Sequence, residues 1–240
     1  MSGASFTLDG FLGGRLRIAQ PKRGFRAGHD TVLLAAAVPA AAGSRVLELG
    51  AGAGVASLCL AARVPGACVL GIEIDPELVA LANENAGRNA MAERVSFELG
   101  DAKTYSGTAA YDHVFFNPPF HPPSGQGSPN PARARAMRDA ENALPQWMRI
   151  ALCLTKPGGT VTAIAAAGRT DEMLASDAGA VLFPLFPHDG EAPKRAILQI
   201  VKGSVAPFRT AAGLILHEPD GRNTQGTEAV LRQGGALRLV

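Results

Sequence analysis

The tetrapeptide Asn117-Pro118-Pro119-Phe120 carries the groups needed to hold an exocyclic amine. Proline fixes φ and has no N–H, so two successive backbone positions offer carbonyl oxygens and no donor. The Asn117 amide oxygen and the Pro118 carbonyl can each accept one hydrogen of an NH2 group. A nitrogen held by both hydrogens keeps its lone pair for an electrophile. The same acceptors stabilise the positive charge that grows on nitrogen as it attacks. Phe120 adds an aromatic face on which a planar base can stack. No strong general base is required, because the proton leaves after attack, so His121 is read as a solvent-facing loop residue.

A second motif supplies the electrophile. Glu48-Leu49-Gly50-Ala51-Gly52-Ala53-Gly54 reads as a strand end, a tight turn and a helix start. Glycine is wanted where the chain turns sharply and its backbone approaches a ligand. The helix behind presents free N–H groups and a partial positive charge. Nicotinamide-binding loops use G-x-G-x-x-G around a pyrophosphate. Here the third glycine comes one residue early, and Glu48 stands two residues before the first. Both departures suit S-adenosylmethionine, which has no phosphate and whose ammonium group favours a carboxylate. Glu73, followed by Ile74, lies roughly twenty residues on, where an acid can accept from both ribose hydroxyls. Asp101, followed by Ala102, can accept from the cofactor's adenine amine. The expected cofactor contacts are therefore Glu48, Gly50, Ala51, Gly52, Gly54, Glu73, Ile74, Asp101, Ala102 and Asn117, with no metal ligands. Any one of these acids alone is an ordinary loop residue or cap; their spacing carries the reading.

The elements that position these motifs follow from periodicity. After residue 44, apolar runs alternate with helical patterns, the signature of βαβ units and a parallel sheet. Strands are predicted at 45–50, 67–74, 95–99, 111–116, 160–166, 181–186 and 196–202. Helices are predicted at 31–37 with Asp30 as cap, 54–64, 77–89 with Asp75 as cap and Pro76 in the first turn, 141–154 and 171–178. Residues 156–159 read as a turn. The fold expected is α/β and Rossmann-like: a doubly wound, mainly parallel seven-stranded sheet with helices on both faces and an antiparallel last strand. In such sheets ligands bind outside the carboxyl ends of the strands, so the glycine loop and Asn117 should share one crevice. Residues 44–240 form that domain, and 1–43 form a segment packing over the crevice. Residues 121–131 are a proline- and glycine-rich loop, and 203–240 show no clear pattern.

Composition narrows the class. The chain has 240 residues, 47% hydrophobic, enough for one large core. No apolar run approaches the length of a membrane span, and the N-terminus lacks a signal-peptide pattern. A soluble cytoplasmic protein is expected. Cys59, Cys68 and Cys153 lie in apolar stretches without a CxxC and are read as buried free thiols. The net charge is only +2, but the cations cluster. Lys22, Arg23 and Arg26 close a basic run from residue 15. Arg133, Arg135 and Arg138 follow the tetrapeptide, and Lys194, Arg195, Lys202 and Arg209 come late. Such clusters suit phosphate contacts, although each alone is also an ordinary solvated face.

The chain resembles class I methyltransferases of the N6-adenine type. It is most similar in pattern to the bacterial tRNA adenine-N6 methyltransferases that modify the adenine 3′ of a valine tRNA anticodon. The resemblance runs through Gly24-Phe-Arg-Ala-Gly-His-Asp-Thr-Val-Leu-Leu34, VLELGAGAG at 46–54, GIEID at 71–75, GDA at 100–102, the tetrapeptide, Ala192-Pro-Lys-Arg195 and residues 214–231. It implies a tRNA partner and an early segment that closes over the cofactor, with Asp30 and Thr31 near its methionine end. It does not fix the acceptor. Enzymes acting on guanine N2 or protein glutamine share the tetrapeptide, and a small-molecule amine is a further alternative. A catalytically silent RNA-binding protein that keeps the cofactor for stability is disfavoured by the intact tetrapeptide. The loop 121–131 departs from the family pattern.

Overall fold

The computed structural model describes residues 6–23, 26–107, 109–118, 143–173 and 179–239. The chain opens with an antiparallel hairpin, β1 (Phe6–Phe11) and β2 (Leu16–Pro21), paired from Phe6 with Pro21 to Phe11 with Leu16. Helix α1 (His29–Ala37) leads into β3 (Arg45–Leu49), α2 (Val55–Arg63), β4 (Cys68–Glu73), α3 (Pro76–Arg88), β5 (Val95–Leu99) and β6 (Tyr111–Phe116). The second half comprises α4 (Ala143–Leu154), β7 (Thr155–Ala166), β8 (Ala180–Phe186), β9 (Arg195–Val201), β10 (Arg209–Thr210), β11 (Leu214–Ile215) and α5 (Gln225–Leu231).

The main sheet has nine strands where seven were expected, in the order β10-β8-β9-β7-β6-β3-β4-β5, with β11 also on β8. Seven are the anticipated long strands. The two extra ones, β10 and β11, have two residues each and run parallel to β8. They cover part of an edge that would otherwise offer unpaired backbone. Strand β9, last of the long ones in the chain, inserts antiparallel between β7 and β8. Alternate strand residues feed two cores. Val46 and Phe115 pack with α1 and α2 on one face. Leu47, Leu49, Val114 and Phe116 pack with Leu144, Trp147 and Met148 of α4 on the other.

Several expectations need correction. Asp30 does not cap α1; the helix begins two residues earlier than expected, at His29, with Gly28 at the N-cap. Asp75 does cap α3, accepting from Glu77 N at 2.8 Å and Leu78 N at 3.4 Å. The turn at 156–159 lies inside the bounds of β7, as an irregularity in its pairing with β6. A 3-10 helix spans Ala167–Met173 where an α-helix was expected at 171–178, and residues 174–178 lie outside the described residues. Only Cys59 is buried; Cys68, at the start of β4, and Cys153, on α4, are exposed.

One buried side chain ties the hairpin to the sheet. Asn85 is fully buried on the inner stripe of α3, beside Leu81, Ala82 and Ala86. Its Oδ1 accepts from Ala19 N at 2.8 Å, and its Nδ2 donates to Ala19 O and Ala53 O, each at 3.0 Å. The amide thus completes the hydrogen bonding of β2 and of the loop carrying Gly52 and Gly54. Asn85→Ala strands these backbone groups, at a cost of about 1–3 kcal/mol for a buried unsatisfied group. The expected result is a lower thermal midpoint and faster hydrogen exchange at Ala19 than in the rest of the sheet. Unchanged exchange at Ala19 would show that the amide does not hold the hairpin.

Candidate active site

Strand register brings the two motifs together. Leu49 pairs with both Ile72 and Phe116, so Gly50 and Asn117 leave neighbouring strands side by side. Glu73 pairs with Leu99, which places Asp101 on the next strand end. The N–H groups of Gly50 and Ala51 both donate to Ile72 O, at 2.8 and 3.0 Å, and Gly54 N closes the turn onto Ala51 O at 2.9 Å.

The three glycines are required for different reasons. All have positive φ: +70° at Gly50, +57° at Gly52 and +82° at Gly54. A Cβ on Gly50 would lie 2.7 Å from Trp147 Cη2, and one on Gly54 would lie 2.5 Å from Phe97 Cζ. Those two are crowded by the protein. Nothing lies within 4 Å of a Cβ on Gly52, so that glycine faces open space. The Glu73 carboxylate sits beneath it, accepting from Gly52 N at 2.8 Å through one oxygen and from Ile74 N and Asp75 N at 2.8 and 3.1 Å through the other. Asp101 accepts from Lys103 N at 2.8 Å and shapes the turn after β5. Ile74 and Leu99 stand exposed at these strand ends, an apolar pair beside the two acids. Ala51 and Ala102, the two small residues expected beside the cofactor, are buried.

Glu48 is placed differently from its neighbours. It is buried in β3, with Oε2 accepting from Ser57 N at 3.1 Å and from the Ser57 hydroxyl at 2.5 Å. Burial pushes its carboxyl from 4.5 up to about 8, against the two Ser57 bonds, and the nearby Glu73 charge pushes the same way as burial. A carboxyl that binds its proton more tightly when folded stabilises the fold while protonated. That contribution is complete below pH 4.5 and is lost as pH rises through about 8. Glu48→Gln keeps an acceptor for Ser57 and cannot titrate. Thermal midpoints measured across this range should therefore fall more steeply for the wild type than for Glu48→Gln. Parallel curves would contradict the assignment.

A cavity of about 400 Å³ is lined by Arg26, Gly28, His29, Asp30, Thr31, Asn117 and Arg195. It joins the segment before α1 to the end of β6. Two of the lining residues each carry a buried polar atom, Asn117 Oδ1 and Thr31 Oγ1, without a hydrogen-bond partner among the described residues. Each such atom costs about 1–3 kcal/mol unless something else satisfies it, which marks the cavity as a place for a polar ligand. The unpartnered Asn117 oxygen and Thr31 hydroxyl, the open space at Gly52 and the carboxylates at two adjacent strand ends fit S-adenosylmethionine beside an amine. The glycine loop, Glu73 and Asp101 would be the groups to hold it.

Two of the basic residues expected to meet phosphates are also held in ion pairs at the cavity wall. Arg195 pairs with Asp30 at 2.8 Å. Arg26 pairs with Asp9 at 2.6 Å and also donates to Thr7 Oγ1 and Pro21 O. Lys22, Arg23 and Lys194 are exposed. The cluster 194–209 is split by the antiparallel course of β9. Arg195 pairs with Ala166 at the crevice end, whereas Arg209 pairs with Val181 at the start of β8, the opposite end. Lys202, just beyond β9, donates to Thr155 O at that far end. Pro118 is buried directly after Asn117. Pro119, Phe120, Arg133, Arg135 and Arg138 lie outside the described residues, as does loop 121–131. Sequence reasoning missed Asn85, Ser57, Phe97 and Trp147. Only Asn85 left a signal, as a polar residue on the apolar stripe of a helix.

Comparison with known proteins agrees with this geometry. Residues 26–178 match the family described as Methyltransferase small domain. A tRNA1(Val) (adenine(37)-N6)-methyltransferase of Aeromonas hydrophila is 30% identical over 203 residues, covering 81% of this chain and 84% of that one. A protein of the same name from Bacteroides fragilis is 29% identical, over 79% and 76% of the two chains. The crystal structure of a predicted O-methyltransferase from Agrobacterium tumefaciens superposes with a TM-score of 0.73 over 87% of this chain and 98% of its own. At 24% identity that likeness shows a shared fold. With this family match and with glycine loop, strand-end acids and Asn117 gathered at one sheet edge, the chain belongs to the methyltransferase small-domain family and is an S-adenosylmethionine-dependent methyltransferase.

Proposed function

We propose that the chain methylates the N6 amine of an adenine in tRNA. The observation that carries this reading is the Asn117 side chain, whose buried Oδ1 has no hydrogen-bond partner among the described residues, in the wall of the cavity at the end of β6. S-adenosylmethionine, when bound, supplies an electrophilic methyl group. Asn117 accepts one hydrogen of the target amine and the Pro118 carbonyl the other, which aims the nitrogen lone pair and stabilises its developing charge. Phe120 supports the base by stacking. Asp30 and Thr31 belong to the segment 1–43, which covers the cofactor's methionine end; the presence of Arg26 and residues 28–31 in the cavity wall supports this. The names of the relatives support tRNA and adenine N6.

Exposed Lys22, Arg23 and Lys194, together with Arg133, Arg135 and Arg138, contact RNA phosphates in this reading. RNA affinity should then fall steeply with salt, and removing Lys22 and Arg23 together should flatten that dependence by about 1–2 in log–log slope. A tRNA acceptor implies a cytoplasmic enzyme. Among the described residues no helix is long and apolar enough to cross a membrane. The test offers labelled S-adenosylmethionine with purified tRNA, rRNA fragments, single-stranded DNA or protein extract. Label confined to tRNA supports the proposal; label confined to protein or DNA overturns it.

A further inference from the structure

Three histidines stand in a row beside the active cavity. His29, first residue of α1, lines the cavity that holds Asn117. The ring of His217 lies 6.3 Å from that of His29, and the ring of His188 lies 5.8 Å from that of His217. His188 and His217 line a second cavity of about 570 Å³, together with Asp189, Glu191 and Glu218. The row therefore leads from the site of methylation into a neighbouring pocket. It is built by elements from distant parts of the chain. Pairing of Ile215 with Phe186 brings the segment after β11 alongside the segment after β8, and His217 N donates to Pro187 O at 3.0 Å. The His217 Nδ1 atom is buried and has no partner among the described residues.

Nothing in the methyl-transfer step uses His188, His217 or this second cavity. Its chemistry is specific. Imidazole rings offer flat faces for stacking, as in sites that take splayed single-stranded bases. The acids disfavour phosphate and accept hydrogens from amino groups on base edges. A group that stacks, carries amino hydrogens and lies one step from the target adenine is an adjoining nucleobase.

We infer that this second cavity receives the base next to the methylated adenine, stacked on His217 and His188 with its amino hydrogens directed at the carboxylates. The inference rests on the tRNA reading above. The RNA backbone passes outside the pocket, away from its acids, and a base bearing an exocyclic amine is preferred over uracil. His188 and His217 are thus positioning residues, which place the target adenine by holding its neighbour.

The test measures methyl transfer to an anticodon stem-loop RNA and to versions abasic at each nucleotide flanking the target. The wild type, His188→Ala/His217→Ala and His217→Phe are compared, with cofactor affinity measured for each. The double variant should raise KM for the intact RNA by roughly tenfold, the scale of one base–aromatic stack, with kcat and cofactor affinity little changed. Abasic replacement at one flank should raise KM for the wild type but add nothing in the double variant, because both changes remove one contact. His217→Phe restores a stacking face and should recover most of the loss. An active wild type whose abasic penalty is undiminished in the double variant overturns the subsite alone. So does a double variant with wild-type KM, or one that has lost cofactor affinity. A wild type that leaves every stem-loop unmethylated overturns the tRNA reading and the subsite with it.

Discussion

Asn117→Ala should bind S-adenosylmethionine with nearly wild-type affinity and lose roughly 10²–10³-fold in turnover, the range seen when one charge-stabilising hydrogen-bonding group is deleted from an active site. In the proposed reaction the loss falls on the rate, because there the amide acts on the target amine. Charge on that nitrogen appears only as the bond to carbon forms, so the interaction is stronger in the transition state than in the ground state. The fold should tolerate the change. Asn117 Oδ1 has no partner among the described residues, so its removal strands none of them and eliminates a buried orphan acceptor. A thermal midpoint at or slightly above that of the wild type is therefore expected alongside the lost activity. Full activity in Asn117→Ala would remove the chemical basis of the account. Loss of cofactor affinity in step with activity would move Asn117 from the amine to the cofactor.

The glycine loop should separate folding from binding. Gly54→Ala forces a side chain into the left-handed region, at about 1–2 kcal/mol, and drives its Cβ against Phe97, 2.5 Å away. Overpacking adds about 1–3 kcal/mol. The sum of about 2–5 kcal/mol should lower the thermal midpoint by roughly 5–15 °C in a chain of this size. Gly52→Ala has the same backbone problem but no clash, since nothing lies within 4 Å of its Cβ. It should stay close to wild type in stability, within about 1–2 kcal/mol, while losing at least about tenfold in cofactor affinity if the open space that the methyl enters is where the cofactor binds. Calorimetric titration with S-adenosylhomocysteine, paired with thermal melts, reads both quantities. Equal loss of stability in the two variants would contradict the different roles assigned to these glycines.

The parts of the site visible in the sequence are those whose reasons are local. Gly50, Gly52 and Gly54 are marked by spacing and by the strand and helix on either side. Glu73 and Asn117 are marked by position at strand ends, because a parallel sheet delivers every such end to one edge. What was hidden depends on contacts far apart in the chain. The hairpin β1–β2 is fixed to the sheet through Asn85, 66 residues from Ala19. Arg195 reads as a surface cation until folding sets it against Asp30, 165 residues away. Lys202 and Arg209 look like its companions, yet the antiparallel insertion of β9 sends them to the opposite end of the sheet. Strands β10 and β11 are too short for any period to show. Nor does spacing betray that Glu48 is buried against Ser57 while Glu73, at the end of the next strand, braces the loop.

If the cavity at Asn117 presents an adenine amine for methylation, the modified nucleoside reveals it. The most direct measurement incubates the purified chain with S-adenosylmethionine and unmodified tRNA, digests the RNA to nucleosides and identifies the methylated product by mass spectrometry. N6-methyladenosine is the expected product, absent when Asn117→Ala replaces the wild type. N2-methylguanosine in the digest, or methylglutamine in a parallel reaction with protein extract, without N6-methyladenosine, would contradict it.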